Sequence, residues 1–186
     1  MSQIPRIIAA LMLFAVGFMS ADAQRRIYIA PDDHTDYFWI ADDVTYRQSF
    51  LTMIDYYLNK MDETASNQSD HQMRWECDGS LWMWEYERNR TQAQFDRFIN
   101  RVRDGHMSVP LNALVLVNGG APAEAVLRGM YYPGIIERRY NVRFPMAIAM
   151  ENQTHPYGLS SLWAGAGAKY SWKGVCGCAS NVTQLM

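Results

Sequence analysis

Past residue 18, the 186-residue chain has no apolar run approaching the roughly 20 residues that a helix needs to span a bilayer. No membrane association is therefore expected once the first segment is removed. An excess of one charge is also missing. Seventeen Lys and Arg stand against nineteen Asp and Glu, for a net charge of −2, so there is no basic stripe and nucleic acid is not an expected partner. Repeats, linkers and low-complexity tracts are absent, which leaves a single domain. Cysteine is scarce and odd in number: Cys77, Cys176 and Cys178. In an oxidising compartment Cys77 could pair with either of the other two, leaving one thiol over. Zinc binding by these three is not expected, since no fourth ligand lies nearby.

What is present begins with a leader. Arg6 supplies a positive start, Ile7 to Phe18 is an apolar run of about 12 residues, and Ala21-Asp22-Ala23 is a small-x-small cleavage site. Residues 1–23 are read as a secretory signal peptide in preference to a retained anchor or a buried helix. Residues 24–186, about 163 in number, would then form the exported domain, secreted or periplasmic. Six Trp and eleven Tyr make it rich in aromatics. Most of these belong to a core, but the combination of export, near-neutral charge and many aromatics suits a carbohydrate partner. Asn67, Asn89, Asn152 and Asn181 each head an N-x-Ser/Thr triplet, an acceptor only in a eukaryotic host.

The hydropathy pattern alternates strands with helices. Strands are expected at Arg26 to Ala30, Met73 to Glu76, Leu114 to Val117, Pro145 to Met150 and Ala168 to Trp172. Helices are expected at Asp42 to Met61, Leu81 to Arg88, Thr91 to Arg103 (capped by Thr91 with Gln94 and stopped at Gly105), Pro122 to Met130, and Leu159 to Gly165. This alternation predicts an α/β fold with a parallel sheet or barrel. The pattern is still in progress at Trp172, so the expectation is an incomplete domain. Trp82 and Trp84 lie on a helix and are expected in the core rather than as sugar platforms.

In such folds chemistry gathers at the C-terminal ends of strands. Directly after the first expected strand, His34 and Asp36 stand two apart, a spacing that points both side chains the same way on extended backbone. They read either as half of a zinc site or as a solvated acidic loop with an incidental histidine. Trp39 is close enough to wall the same pocket. Glu76, at a strand end, is a candidate substrate contact. Glu151 and His155 follow another buried strand. There Glu151 could act as a general acid or bind sugar hydroxyls, or the stretch could simply cap the next helix.

His34-x-Asp36-x-x-Trp39 resembles the opening motif of glycoside hydrolase family 38, the zinc-dependent α-mannosidases. Trp75-Glu76 is similar to the family's second strand, and Phe95 to Val109 to the helix and approach to its third. Glu124 to Arg128 and Met150 to Tyr170 resemble later stretches in the same order. The resemblance implies the N-terminal part of a (β/α)7 barrel, with zinc on His34 and Asp36 and Trp39 lining the subsite of the cleaved sugar. It also implies a carboxylate nucleophile about a dozen residues after Gly105, where this chain has Asn118. An amide cannot form the glycosyl ester of a retaining mechanism, and the nearest later acid, Glu124, is expected on a helix. Glu151 stands where the family usually has Asp, and Asp32 where many members have His. The family's last zinc ligand would fall beyond Met186, so these residues alone are expected to be inactive.

The leading expectation is thus an exported, zinc-dependent retaining glycosidase acting on α-mannosides. A non-catalytic glycan-binding relative is the second reading, favoured by Asn118. A metal-dependent polysaccharide deacetylase is the third, resting on the Asp32-Asp33-His34 cluster but lacking a further His pair.

Overall fold

The computed structural model describes Ile27, Ile29 and residues 31–114, 118–149 and 156–173. Helix α1 (Asp43–Thr64) starts where Asp42 accepts the Thr45 amide at 2.8 Å, and it buries Phe50, Leu51, Ile54, Leu58 and Met61 along one stripe. A single 3-10 turn (Ser69–His71) leads to strand β1 (Trp75–Glu76), then to α2 (Ser80–Asn89) and α3 (Gln92–Arg103). The capping box expected for α3 is present. Thr91 and Gln94 bond reciprocally, and the helix stops at Gly105, whose φ of +81° costs a residue without Cβ little.

Strand β2 (Met107–Ser108) pairs in parallel with β1, Trp75 opposite Met107 and Glu76 opposite Ser108. Next come a 3-10 turn (Asn118–Gly120), α4 (Ala123–Arg128), α5 (Tyr131–Tyr140), β3 (Met146–Ala149), α6 (Leu159–Gly165) and β4 (Tyr170–Lys173). Strands β3 and β4 are also parallel, with Met146 opposite Tyr170. Two bonds stitch the pairs together: the Leu111 amide to the Met146 carbonyl at 2.8 Å, and the Ile148 amide to Asn112 Oδ1 at 2.9 Å. Every pairing among the described strands is parallel, as an α/β fold requires. They form two joined pairs rather than a closed ring.

Aromatic stacking ties the helices to the sheet. Phe50 of α1 stacks on Trp82 of α2 with centroids 4.4 Å apart, and Tyr57 stacks on Trp75 of β1 at 4.5 Å. Trp82 is therefore core, as its helical spacing predicts. Trp84 is half-buried, with the guanidinium groups of Arg47 and Arg88 over its ring at 5.6 and 4.7 Å. Asp55 of α1 accepts from the Tyr86 hydroxyl and from Arg90, bolting α1 to α2 at the far end.

Three sequence expectations change. Of the first expected strand only Ile27 and Ile29 are described, both exposed and outside any strand, while its other residues lie outside the described part; among the described residues pairing begins at Asp32, bridged to Glu76. The strand placed at Leu114 to Val117 is preceded by β2, whose alternation of buried Met107, half-buried Ser108 and buried Val109 is too short to register as a periodic signal. Leu114 lies in a bend, and residues 115–117 fall outside the described part. Helix α5 has no counterpart among the expected helices, and it contains Pro133-Gly134, a pair that disfavours a helix interior. Pro133 instead occupies the first turn, where a missing N–H costs nothing. Cys77 is a buried thiol with no disulfide partner among the described residues, and Cys176 and Cys178 lie outside them.

Helix α2 has no side-chain cap. The carbonyls of Asn112 and Ala113 accept the amides of Ser80 and Leu81, each at 3.0 Å, and backbone can come this close because residue 79 is glycine. A Cβ there would sit 2.1 Å from the Ala113 carbonyl oxygen. Gly79→Ala is expected to destabilise the fold by about 1–3 kcal/mol, read from urea denaturation. An unchanged midpoint would show that this approach is not tight.

Candidate functional site

The site grows from residues 31–36, which run alongside β1. The Glu76 amide donates to the Pro31 carbonyl at 3.1 Å, and the indole of Trp75 donates to Asp33 Oδ2 at 3.0 Å. The Thr35 amide donates to Asp78 Oδ2 at 2.7 Å. The odd-numbered residues are thus bonded to the scaffold. His34 and Asp36 fall between and beyond these ties, and His34 Nε2 lies 3.1 Å from Asp36 Oδ1. The structure brings the pair together, as the two-residue spacing predicts.

The chain then turns sharply. Trp39 donates its amide to the Asp36 carbonyl at 2.9 Å, and the Tyr46 hydroxyl bonds the same carbonyl. Tyr37 is held inward by its hydroxyl bond to Asp43 and its packing on Tyr46 and Phe50. Phe38 adopts a left-handed φ of 67°, uncommon for a bulky side chain. Phe38 and Trp39 are left 65% and 81% exposed at the rim. Trp39 therefore follows the His34–Asp36 pair on an exposed rim.

Behind the loop lie buried carboxylates. Asp78 is 1% exposed and Glu76 6%. Burial raises the Glu76 pKa to about 7 against the Ser108 hydroxyl that donates to it at 3.2 Å, and neighbouring Asp32 and Asp78 push it the same way. Burial likewise raises Asp78 to about 6, opposed by the Thr35 amide and by His34. One oxygen each of Asp32 and Asp78 is buried without a partner. Glu76 lines a cavity of about 340 Å³ with Ile29, Pro31, Trp75, Ser108 and Met146. That lining includes neither His34 nor Asp36, so Glu76 faces a different space from the pair.

The remaining candidates lie apart or outside. Asn118 is buried at the start of its 3-10 turn. Glu124 sits on α4, exposed and paired with Arg128 at 2.9 Å, so it is not in the site. Glu151 and His155 lie outside the described residues. Among the described residues no group of three or more His, Cys, Asp or Glu converges on a metal-sized space. The His34–Asp36 pair offers an imidazole nitrogen and a carboxylate oxygen, the donor types zinc takes, and so fits two of the four positions of a tetrahedral site. Sequence reasoning missed Asp78 and Ser108, and named Asp33 only as part of the Asp32-Asp33-His34 cluster. Asp78 is bonded to a residue 43 positions away, which no local pattern records.

No family profile matches the sequence, and no curated protein matches it at a significant level. Solved structures do. An α-mannosidase from Enterococcus faecalis V583 superposes with a TM-score of 0.65 at 12% identity, over 78% of this chain and 16% of that one. A glycosyl hydrolase family 38 protein from Enterococcus faecalis gives 0.55 at 10% identity, over 76% and 16%. A 4-alpha-glucanotransferase from Thermococcus litoralis gives 0.51 at 13%, over 77% and 22%. The chain thus shares its fold with part of glycoside hydrolase structures, spanning about a sixth of the length of the first two.

Glu76 makes the stability of the fold pH-sensitive in a defined direction. Its folded pKa of about 7 lies above the ordinary 4.5, so the unfolded chain loses this proton first and stability falls as pH rises between those values. The full effect is about 3 kcal/mol. Glu76→Gln is expected to match the wild type near pH 4.5 and to exceed it in stability near pH 8. Parallel stability curves for the two proteins would contradict this.

Proposed function

We propose that the chain is the N-terminal part of a glycoside hydrolase catalytic domain, exported and acting on α-mannosides with the help of zinc. The observation that carries the proposal is the convergence of His34 and Asp36 to 3.1 Å just past the bridge to β1, in a chain that shares its fold with an α-mannosidase. Support for export is the leader pattern of residues 1–23.

On this reading His34 and Asp36 hold the metal, with further ligands from outside the described residues. Bound zinc would supply Lewis-acid stabilisation of charge on sugar oxygens. The chain's own residues do the rest. Trp39, exposed beside the pair, offers an indole face to a pyranose ring. Glu151 is proposed as the general acid that protonates the leaving oxygen, and His155 as a hydroxyl contact. Glu76, its pKa raised to about 7, is partly protonated at neutral pH and could in that form donate a hydrogen bond into its own cavity.

One residue favours a second reading. Asn118 occupies the position expected of the nucleophile, and its amide cannot carry a glycosyl ester. A glycan-binding protein that retains the metal pair but does not cleave would account for it.

Both readings are tested on the full-length protein. Metal analysis is expected to give about one zinc per chain, with His34→Ala and Asp36→Ala each weakening zinc binding at least tenfold. Absence of zinc binding in the wild type would overturn both. Hydrolysis of aryl α-mannosides that is abolished by a chelator supports the enzyme. Mannoside binding without turnover, with turnover appearing in Asn118→Asp, supports the second reading. Trp39→Ala is expected to weaken mannoside binding in either case.

A further inference from the structure

We propose that Asp78 is a positioning residue, whose buried carboxylate holds the Thr35 amide and thereby sets the separation at which His34 and Asp36 meet. The inference rests on the reading that this pair binds zinc.

Thr35 stands between the two side chains in question. The backbone torsions on either side of its amide decide where both of them point. Pro31 and Asp33 are tied to β1 upstream of His34, and the bonds to the Asp36 carbonyl from Trp39 and Tyr46 act downstream. The 2.7 Å bond from the Thr35 amide to Asp78 Oδ2 is the tie within the pair, and it reaches across 43 residues of sequence. It fixes the peptide between His34 and Thr35 directly, which the upstream and downstream ties do not.

Asp78 is also an expensive residue to keep for stability alone. It is 1% exposed, its Oδ1 has no partner, and it lies among other carboxylates. Desolvating a carboxylate costs several kcal/mol, and one amide donor returns only part of that. An apolar residue would fill the space at lower cost but could not hold Thr35. The geometry therefore gives Asp78 the part that carboxylates and carbonyls play behind metal ligands, orienting the groups that touch the ion.

The test compares the full-length wild type with Asp78→Ala and Asp78→Asn. Zinc affinity is read by competition with a chromophoric chelator, and Thr35 amide exchange by NMR. Asp78→Ala is expected to bind zinc 10–100-fold more weakly, with faster exchange at Thr35. Asp78→Asn, whose side-chain oxygen still accepts from the amide, should retain most of the affinity and the protection. A folded Asp78→Ala protein with wild-type zinc affinity overturns the inference while leaving the zinc reading intact. A wild type that binds no zinc removes that reading, and the positioning role with it. Should Asp78→Ala fail to fold, Asp78→Asn decides: protection at Thr35 with zinc affinity lost also overturns the inference.

Discussion

Residues 31–36 expose His34 and Asp36, yet they have almost no regular structure of their own to hold them. What fixes them is a lateral attachment to the segment 75–78, made through one backbone bond, one indole and one buried carboxylate. The ties fall on Pro31, Asp33 and Thr35, and His34 and Asp36 are left more exposed than these neighbours. The segment 75–78 is in turn immobilised by Tyr57 and Trp82, which pack on Trp75, and by the parallel pairing with β2. The site is therefore only as rigid as the aromatic stack behind it.

That dependence explains an otherwise unfavourable arrangement. Glu76 and Asp78 are withdrawn from water beside one another and beside Asp32, which is costly for groups that prefer to ionise. Phe38, in the left-handed region and exposed, adds local strain without compensating burial. Costs of this kind concentrated around one loop, while α1 to α3 pack conventionally, mark the loop as the part of the molecule shaped by something other than stability.

Much of this was legible in the residues. The stripe Phe50, Ile54, Leu58 revealed α1, Thr91 with Gln94 revealed the start of α3, and Leu159 to Gly165 revealed α6. The two-residue spacing revealed that His34 and Asp36 would meet. Strand β2 escaped, because a two-residue strand has too few positions to display a period, whereas β1 falls within the strand expected at Met73 to Glu76. Helix α5 escaped too, and it contains Pro133 and Gly134, a pair that disfavours a helix interior. Asp78 escaped for a different reason: its role depends on a partner 43 residues away, and no local pattern records such a partner.

Asn112 and Ala113 supply the carbonyls that complete the start of α2, and Asn112 also reaches β3 through its side chain. On a ribosome these residues emerge more than thirty positions after the helix they serve. At about 5–20 residues per second, the first turn of α2 waits roughly 2–7 s with its amides unsatisfied. During that interval Asp78 and Cys77, which lie just ahead of the turn, are uncovered. The start of α2 can therefore be completed only once Asn112 and Ala113 have been made.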